Sequence, residues 1–435
     1  MTPRHTSTPS QARILAGRLI VDPLKQPELG WVRVEGGTIV EVGYGDPPQD
    51  ASPQPIGGRD RVITPAFIDA HIHLPQVQSV GCDGLPLLQW LDQVIFPAEE
   101  WWGRGMAIAG ARTAVRRMLR EGTAAFAGYL TSHAQPARQV TEFLAARTPM
   151  RFVAGRVAMD RNASDDLTKE DRSRVAMTPT PSPVSAPLDD TGEHRVSANP
   201  RFAVSCSDEL LAEVGWYVGK HPDTIVQTHL SESNPECELI RTLFLDDESY
   251  TAVYDRFGLL TPNSLLAHCV HLTPAEWELI AQRQSIVVHC PAANLFLQSG
   301  LFNLDAARAH GVRLALGSDV AGGPDIAMPR VARAMIETAK IRKLTGAERA
   351  YIPAPGDVWS LITRGNAEVL GWKDSGRIER GARADLLVLH PPVGWLDEHL
   401  LGRLIYGWTS RLIEHRFVRG TLVDPATITT ETSRA

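Results

Sequence analysis

The chain is poor in the features that mark several common classes of protein. Its 435 residues include only five cysteines, Cys82, Cys206, Cys237, Cys269 and Cys290, an odd number with no C-x-x-C pair among them. That excludes a disulfide framework and a thiolate metal site, and leaves these residues as small buried hydrophobes. Basic excess is lacking too: 44 Lys and Arg against 50 Asp and Glu give a net charge of −6, without a long Lys/Arg run, so a nucleic-acid partner is not expected. No stretch approaches the roughly 18 consecutive apolar residues of a membrane span, and the polar start "MTPRHTSTPSQARILAG" has no apolar signal core. A cytoplasmic location without membrane contact is the expectation. What remains is an ordinary globular composition, 43% hydrophobic and 22% charged, long enough for one large α/β barrel and a smaller appendage.

Eight segments read as buried strands: "TPAFIDAHIH" (64–73), "TAAFAGYL" (123–130), "RFVAGRVAMD" (151–160), "RFAVSCS" (201–207), "TIVQTHLSE" (224–232), "SLLAHCV" (264–270), "SIVVHCPAA" (285–293) and "RLALGSDV" (313–320). Amphipathic stretches lie between most of them, among them "SDELLAEVGWYVGKHP", capped at Ser207 or Asp208, and "TPAEWELIAQRQ", with Thr273 as cap and Pro274 in the first turn. Eight strand–helix units predict a closed (β/α)8 barrel with functional groups at the C-terminal strand ends. Short β segments with Gly and Pro punctuation at both termini predict a small β-sandwich domain, residues 1–64 and 375–435, against a barrel of residues 65–374. Residues 178–198, rich in Pro and Ser, interrupt this pattern where a third barrel helix is due. A short helix over 165–175 followed by a surface loop is expected there.

Position singles out the polar residues that matter. His71 and His73 end the first strand and, two apart in an extended chain, share a face. His229 ends the fifth strand, His268 the sixth and Asp319 the eighth, so five ligating groups meet at one rim. A lone histidine at a strand end is usually structural; their joint placement argues for a borderline divalent ion such as zinc or iron. His71, His73, His229 and Asp319 are the expected ligands, and His268 ligates or hydrogen-bonds the bound water. The lysines, at positions 25, 169, 220, 340, 343 and 373, do not fall near the end of the fourth strand, where a bridging group would sit between two metals. One ion per chain is therefore expected. Such an ion lowers the pKa of its water from about 15.7 to roughly 7, which leaves proton movement to the protein. Glu232, three residues past His229, is the expected shuttle.

The opening strand with "HLPQ", together with "HLSESNPE", "TAVYDRFGLLTPNSLLAHCVHL", "HCPAANLFLQSG" and "GSDVAGG", resembles the amidohydrolase superfamily over nearly the whole chain. The segments 85–100 ("LPLLQWLDQVIFPAEE"), 158–162 ("AMDRN") and 199–211 ("NPRFAVSCSDELL") resemble the guanine deaminases within it. The resemblance implies hydrolysis of guanine to xanthine and ammonia, with Glu232 carrying a proton from water to N3 while Asp319 and His268 steady the tetrahedral centre at C2. It also implies a homodimer, and it adds Gln76, Arg201 and Phe202 as the residues that hold the purine. A guanidinium can donate to O6 and N7 of guanine, a phenyl ring can abut the base, and an amide can serve another polar edge. The Pro/Ser-rich insertion directly before Arg201 departs from the family. The P-C-x-x-C of the cysteine-ligated zinc deaminases is missing. Two alternatives stay open: a related aminohydrolase or chlorohydrolase acting on a triazine, pterin or modified purine, and an inactive relative kept as a scaffold.

Overall fold

The computed structural model describes residues 12–49, 52–175, 192–347 and 350–428. Its centre is a parallel barrel of eight strands in sequence order: Phe67–His73, Thr123–Tyr129, Arg151–Gly155, His194–Pro200, Ile225–Leu230, Ser264–His268, Ile286–His289 and Arg313–Leu316. The first and last strands share no regular ladder. They are joined by single bonds: the Asp319 amide donates to the His71 carbonyl at 2.8 Å and the His73 amide to the Val320 carbonyl at 3.2 Å. At the other end, Asn366 clips them together, its amide donating to the carbonyls of Ile68 (2.7 Å) and Leu316 (2.8 Å) while its oxygen accepts from the Leu316 amide at 3.0 Å.

The barrel interior is filled by small and branched apolar residues, including Ile68, Ala70, Val153, Ile225 and Val288, all buried. Along the first strand, the pairing with Thr123–Tyr129 slips by one residue between Asp69 and Ile72, so three steps on one strand match two on the other. An extra residue of this kind reverses which side chains face inward. Ile68 and Ala70 therefore line the interior lower down, while His71 and His73 turn toward it at the rim.

Both termini supply a second sheet of seven strands, in the order Thr421–Leu422, Ile413–Val418, Leu386–Leu389, Ile56–Pro65, Arg13–Leu19, Glu28–Glu35 and Thr38–Tyr44. Among the described residues no helix is long and apolar enough to cross a membrane.

Two local readings meet the structure differently. The helix after the third strand spans Asp165–Val175, as its sequence predicts, and residues 178–191 of the Pro/Ser-rich stretch lie outside the described residues. The fourth strand, however, is His194–Pro200 rather than 201–207; Arg201 and Phe202 follow its end, and Ala203–Ser205 form a short 3-10 turn. The strand "HRVSANP" looks polar because Ser197 and Asn199 point into the barrel. There the Gln227 amide donates to the Ser197 hydroxyl at 2.7 Å, and the Asn199 amide to the Gly155 carbonyl at 3.2 Å. Satisfied in this way, polar residues occupy a buried strand at little cost.

Candidate active site

At the C-terminal rim, ring nitrogens of His71, His229 and His268 and a carboxylate oxygen of Asp319 all lie within 4.8 Å of one another. His73 joins them: its Nε2 is 3.1 Å from His229 Nε2 and 3.3 Å from Asp319 Oδ1, while His71 Nε2 is 3.1 Å from the same Asp319 oxygen. His268 Nε2 stands 3.7 Å from Asp319 Oδ2. His268 and Asp319 hold left-handed backbone angles, φ +74° and +48°, which L residues adopt only where the surroundings enforce them.

The tautomers follow from the second ring nitrogens. His229 Nδ1 donates to the Arg201 carbonyl at 2.6 Å and His268 Nδ1 to the Asn294 side-chain oxygen at 2.8 Å, so both present a bare Nε2 to the centre. Burial lowers the pKa of His73 to about 4 and pushes that of His229 well below the ordinary value, so both rings are neutral at pH 7. Burial alone would raise Asp319, but hydrogen bonds from His71 and His73 and the nearby His268 hold it well below the usual carboxylate range. The buried Nε2 of His268 has no hydrogen-bond partner, and the lone pair of His229 faces another imidazole nitrogen. A cluster of converging lone pairs with one carboxylate fits a divalent metal ion.

Glu232 lies beyond the fifth strand, buried, with Oε2 3.4 Å from His268 Nε2. Its other oxygen accepts from the Ser299 hydroxyl at 3.1 Å, and its backbone amide donates to Glu236 at 2.8 Å. Burial, followed by the charges of Asp319 and Glu236, raises its pKa well above that of a free glutamate, which suits a group that must both take and give a proton.

A pocket opens onto this cluster and is lined by His73, His229, Glu232, His268 and Asp319 together with Gln76, Arg201, Phe202 and the apolar Leu87, Trp90, Leu91 and Leu297. Apolar side chains beside converging polar groups suit a flat ring molecule with polar edges. Arg201 Nη1 donates to Glu99 Oε2 at 2.6 Å, and Gln76 Nε2 donates to Glu99 Oε1 at 3.0 Å. Gln76 Oε1 accepts from the Ala321 amide at 3.3 Å. The Gln76 nitrogen thus keeps one N–H beyond its bond to Glu99, and its oxygen is turned to the Ala321 amide.

The sequence pattern of the Amidohydrolase family matches residues 62–423. The chain belongs to the amidohydrolase family. It is 32% identical over 415 residues to a guanine deaminase from Escherichia coli (strain K12), an alignment that spans 94% of this chain and 91% of that one. Among solved structures it is similar to guanine deaminase from C. acetobutylicum with bound guanine in the active site, at TM-score 0.85 and 25% identity over 95% of this chain and 100% of the other. It is also similar to an adenosine deaminase from Xanthomonas campestris with bound zinc, at TM-score 0.77 and 25% identity over 94% and 92% of the two chains.

Around this amidohydrolase site the structure adds residues that sequence patterns leave unmarked. Tyr254, in "TAVYDRFGLL", accepts from the Ala203 amide and donates to the His229 carbonyl, at 2.9 and 2.8 Å, and so ties a ligand strand to the loop after Arg201. Glu236 caps its own helix with Ser233 and receives the Tyr250 hydroxyl at 2.8 Å, which fixes the turn bearing Glu232. Asn294 and Ser299 both fall in "HCPAANLFLQSG" and hold His268 and Glu232. The one hint in the sequence was that segment's likeness to the family, which says nothing of what each residue holds. Glu99 had the same kind of hint and no more, since it lies in the 85–100 segment that resembles the guanine deaminases.

Proposed function

We propose that the protein is a guanine deaminase that hydrolyses guanine to xanthine and ammonia with one zinc ion per chain. One observation carries this reading: donors from Arg201 and Gln76 line the same cavity as His229, Asp319 and Glu232, so a purine could be held by one edge while another meets the proton-moving group. The names borne by the similar proteins, guanine deaminase among them and one structure with bound zinc, support the substrate and the metal.

In this reading His71, His73, His229 and Asp319 hold the ion and His268 stands beside it. A divalent ion so held makes water acidic enough to act as a nucleophile near neutrality. Arg201 donates to O6 and N7 of guanine, Phe202 abuts the ring and Gln76 adds its remaining N–H, which orients C2 toward the histidines. Glu232 takes a proton from the attacking water and delivers it to N3 as the oxygen bonds to C2. Asp319 and His268 lie beside the tetrahedral carbon, where charge develops. Glu232 then takes the proton left on that oxygen and passes it to the 2-amino group, the C2–N bond breaks to release ammonia, and the oxygen becomes the C2 carbonyl of xanthine. The resemblance also carries a cytoplasmic homodimer; sedimentation equilibrium on the purified chain decides between one chain and two.

The test is ammonia release from a panel of guanine, adenine, a pterin and a triazine, with wild type and Glu232→Gln. Guanine is expected to react, with xanthine as product, and the variant to lose at least about a hundredfold in kcat while keeping its metal. Activity confined to a non-purine would contradict the substrate, and a variant with near wild-type kcat would contradict the shuttle.

A further inference from the structure

Glu99 is a carboxylate buried as deeply as the metal ligands, on the short helix Phe96–Trp101, and it does not line the cavity. Both of its oxygens are engaged, one by Arg201 and one by Gln76, and both of these residues line the cavity. Phe96 of the same helix lies beneath the Arg201 guanidinium, 5.3 Å from carbon to ring centroid. A single short element therefore sets two side chains at once.

We propose that Glu99 is a positioning residue that makes the enzyme prefer a 6-oxo purine over a 6-amino purine; this rests on the guanine deaminase reading above. A carboxylate accepts hydrogen bonds and cannot donate them, whereas the Ala321 amide donates and cannot accept. Between these two the Gln76 amide has one allowed orientation, with nitrogen toward Glu99 and oxygen toward Ala321, and the partners enforce it. Arg201 has no acceptor in any orientation. What Arg201 and the Gln76 nitrogen have left over is donors. The O6 and N7 edge of guanine consists of two acceptors and meets them fully. A 6-amino group would bring a donor against donors and leave both sides unpaired in a buried site, which is how a polar pocket rejects an analogue strongly.

Replacing the acid by its amide removes the constraint. In Glu99→Gln the new side chain can accept from Arg201 with its oxygen, but it then turns a donor toward Gln76. Gln76 is freed to turn over and show its oxygen to the cavity, and Arg201 loses the buried negative charge beside it.

The experiment compares guanine with 2,6-diaminopurine, which keeps the 2-amino leaving group and differs at C6, with N1 losing its hydrogen, for wild type, Glu99→Gln and Glu99→Asp, with metal content measured on each. For Glu99→Gln the guanine KM is expected to rise at least about tenfold with kcat within about threefold, and the guanine preference in kcat/KM to narrow at least about tenfold. Glu99→Asp keeps the charge but cannot reach both partners, so it is expected to move in the same direction by less. It carries the test alone if the amide variant does not fold. Unchanged KM and preference, or an equal loss on both substrates through kcat, overturns the role of Glu99. A wild-type enzyme inactive on guanine overturns the function instead, so the two failures are distinguishable.

Discussion

Gly317 lies where the eighth strand passes the first, and a Cβ built there would stand 2.5 Å from the Cβ of His71 and 3.0 Å from its backbone nitrogen. Backbone and a rim histidine cannot both give way, so Gly317→Ala is expected to shift His71. Guanine turnover should fall at least about tenfold, since small misplacements of reacting groups are costly, and urea denaturation should register a loss of about 1–3 kcal/mol. Wild-type values of both would place the approach elsewhere. At this scale the sequence was legible for residues that end strands. His71, His73, His229, His268 and Asp319 are brought to one rim by topology alone, and a strand pattern suffices to find them. The residues that hold these groups from helices and loops, Glu99, Asn294 and Tyr254 among them, were not singled out by any pattern. Glu99 sits in "FPAEEW", where an acidic residue on a short helix resembles a solvated face. Nothing in its spacing from Gln76 or Arg201 reveals that one carboxylate serves both.

The elements follow the alternation of strand and helix, and the misplaced fourth strand shows where that reading fails. A strand with Ser and Asn facing inward has no apolar signature, while "RFAVSCS" just after it does. Burial in this case is decided by Gln227 across the barrel, a partner that local sequence cannot supply. Barrel closure has a similar cause. The strand pattern requires eight strands to close, but the clip that joins the first to the eighth is the side chain of Asn366, at the start of the short helix Asn366–Val369. Asn366→Ala is expected to leave the Ile68 carbonyl and both Leu316 backbone groups unpaired inside the protein. A loss of about 2–4 kcal/mol in urea denaturation follows from the cost of orphaned buried groups. A change below about 0.5 kcal/mol, the usual range of surface substitutions, would mean that the ladderless seam closes without this side chain.

Over the whole molecule, the barrel and the sheet built from both termini are held by ion pairs of two buried arginines as well as by apolar packing. Arg383 pairs with Asp385 at 2.6 Å and with Glu193, and Arg151, on the third barrel strand, donates to Asp374 at 2.6 Å. These contacts tie the chain after the barrel to the entrance of the fourth strand, and hence to the segment that ends in Arg201. The same continuity gives the site its character: His229 donates to the Arg201 carbonyl, so the metal face and the purine face share a backbone. The central claim is that five groups from four strands meet to hold one ion on which guanine turnover depends. Its most direct test is to strip the purified protein of metal with a chelator, then follow xanthine formation while zinc is added stepwise. Activity should vanish on stripping and return in proportion to zinc, reaching its plateau at one ion per chain. Full turnover by a protein that holds no metal would contradict the account.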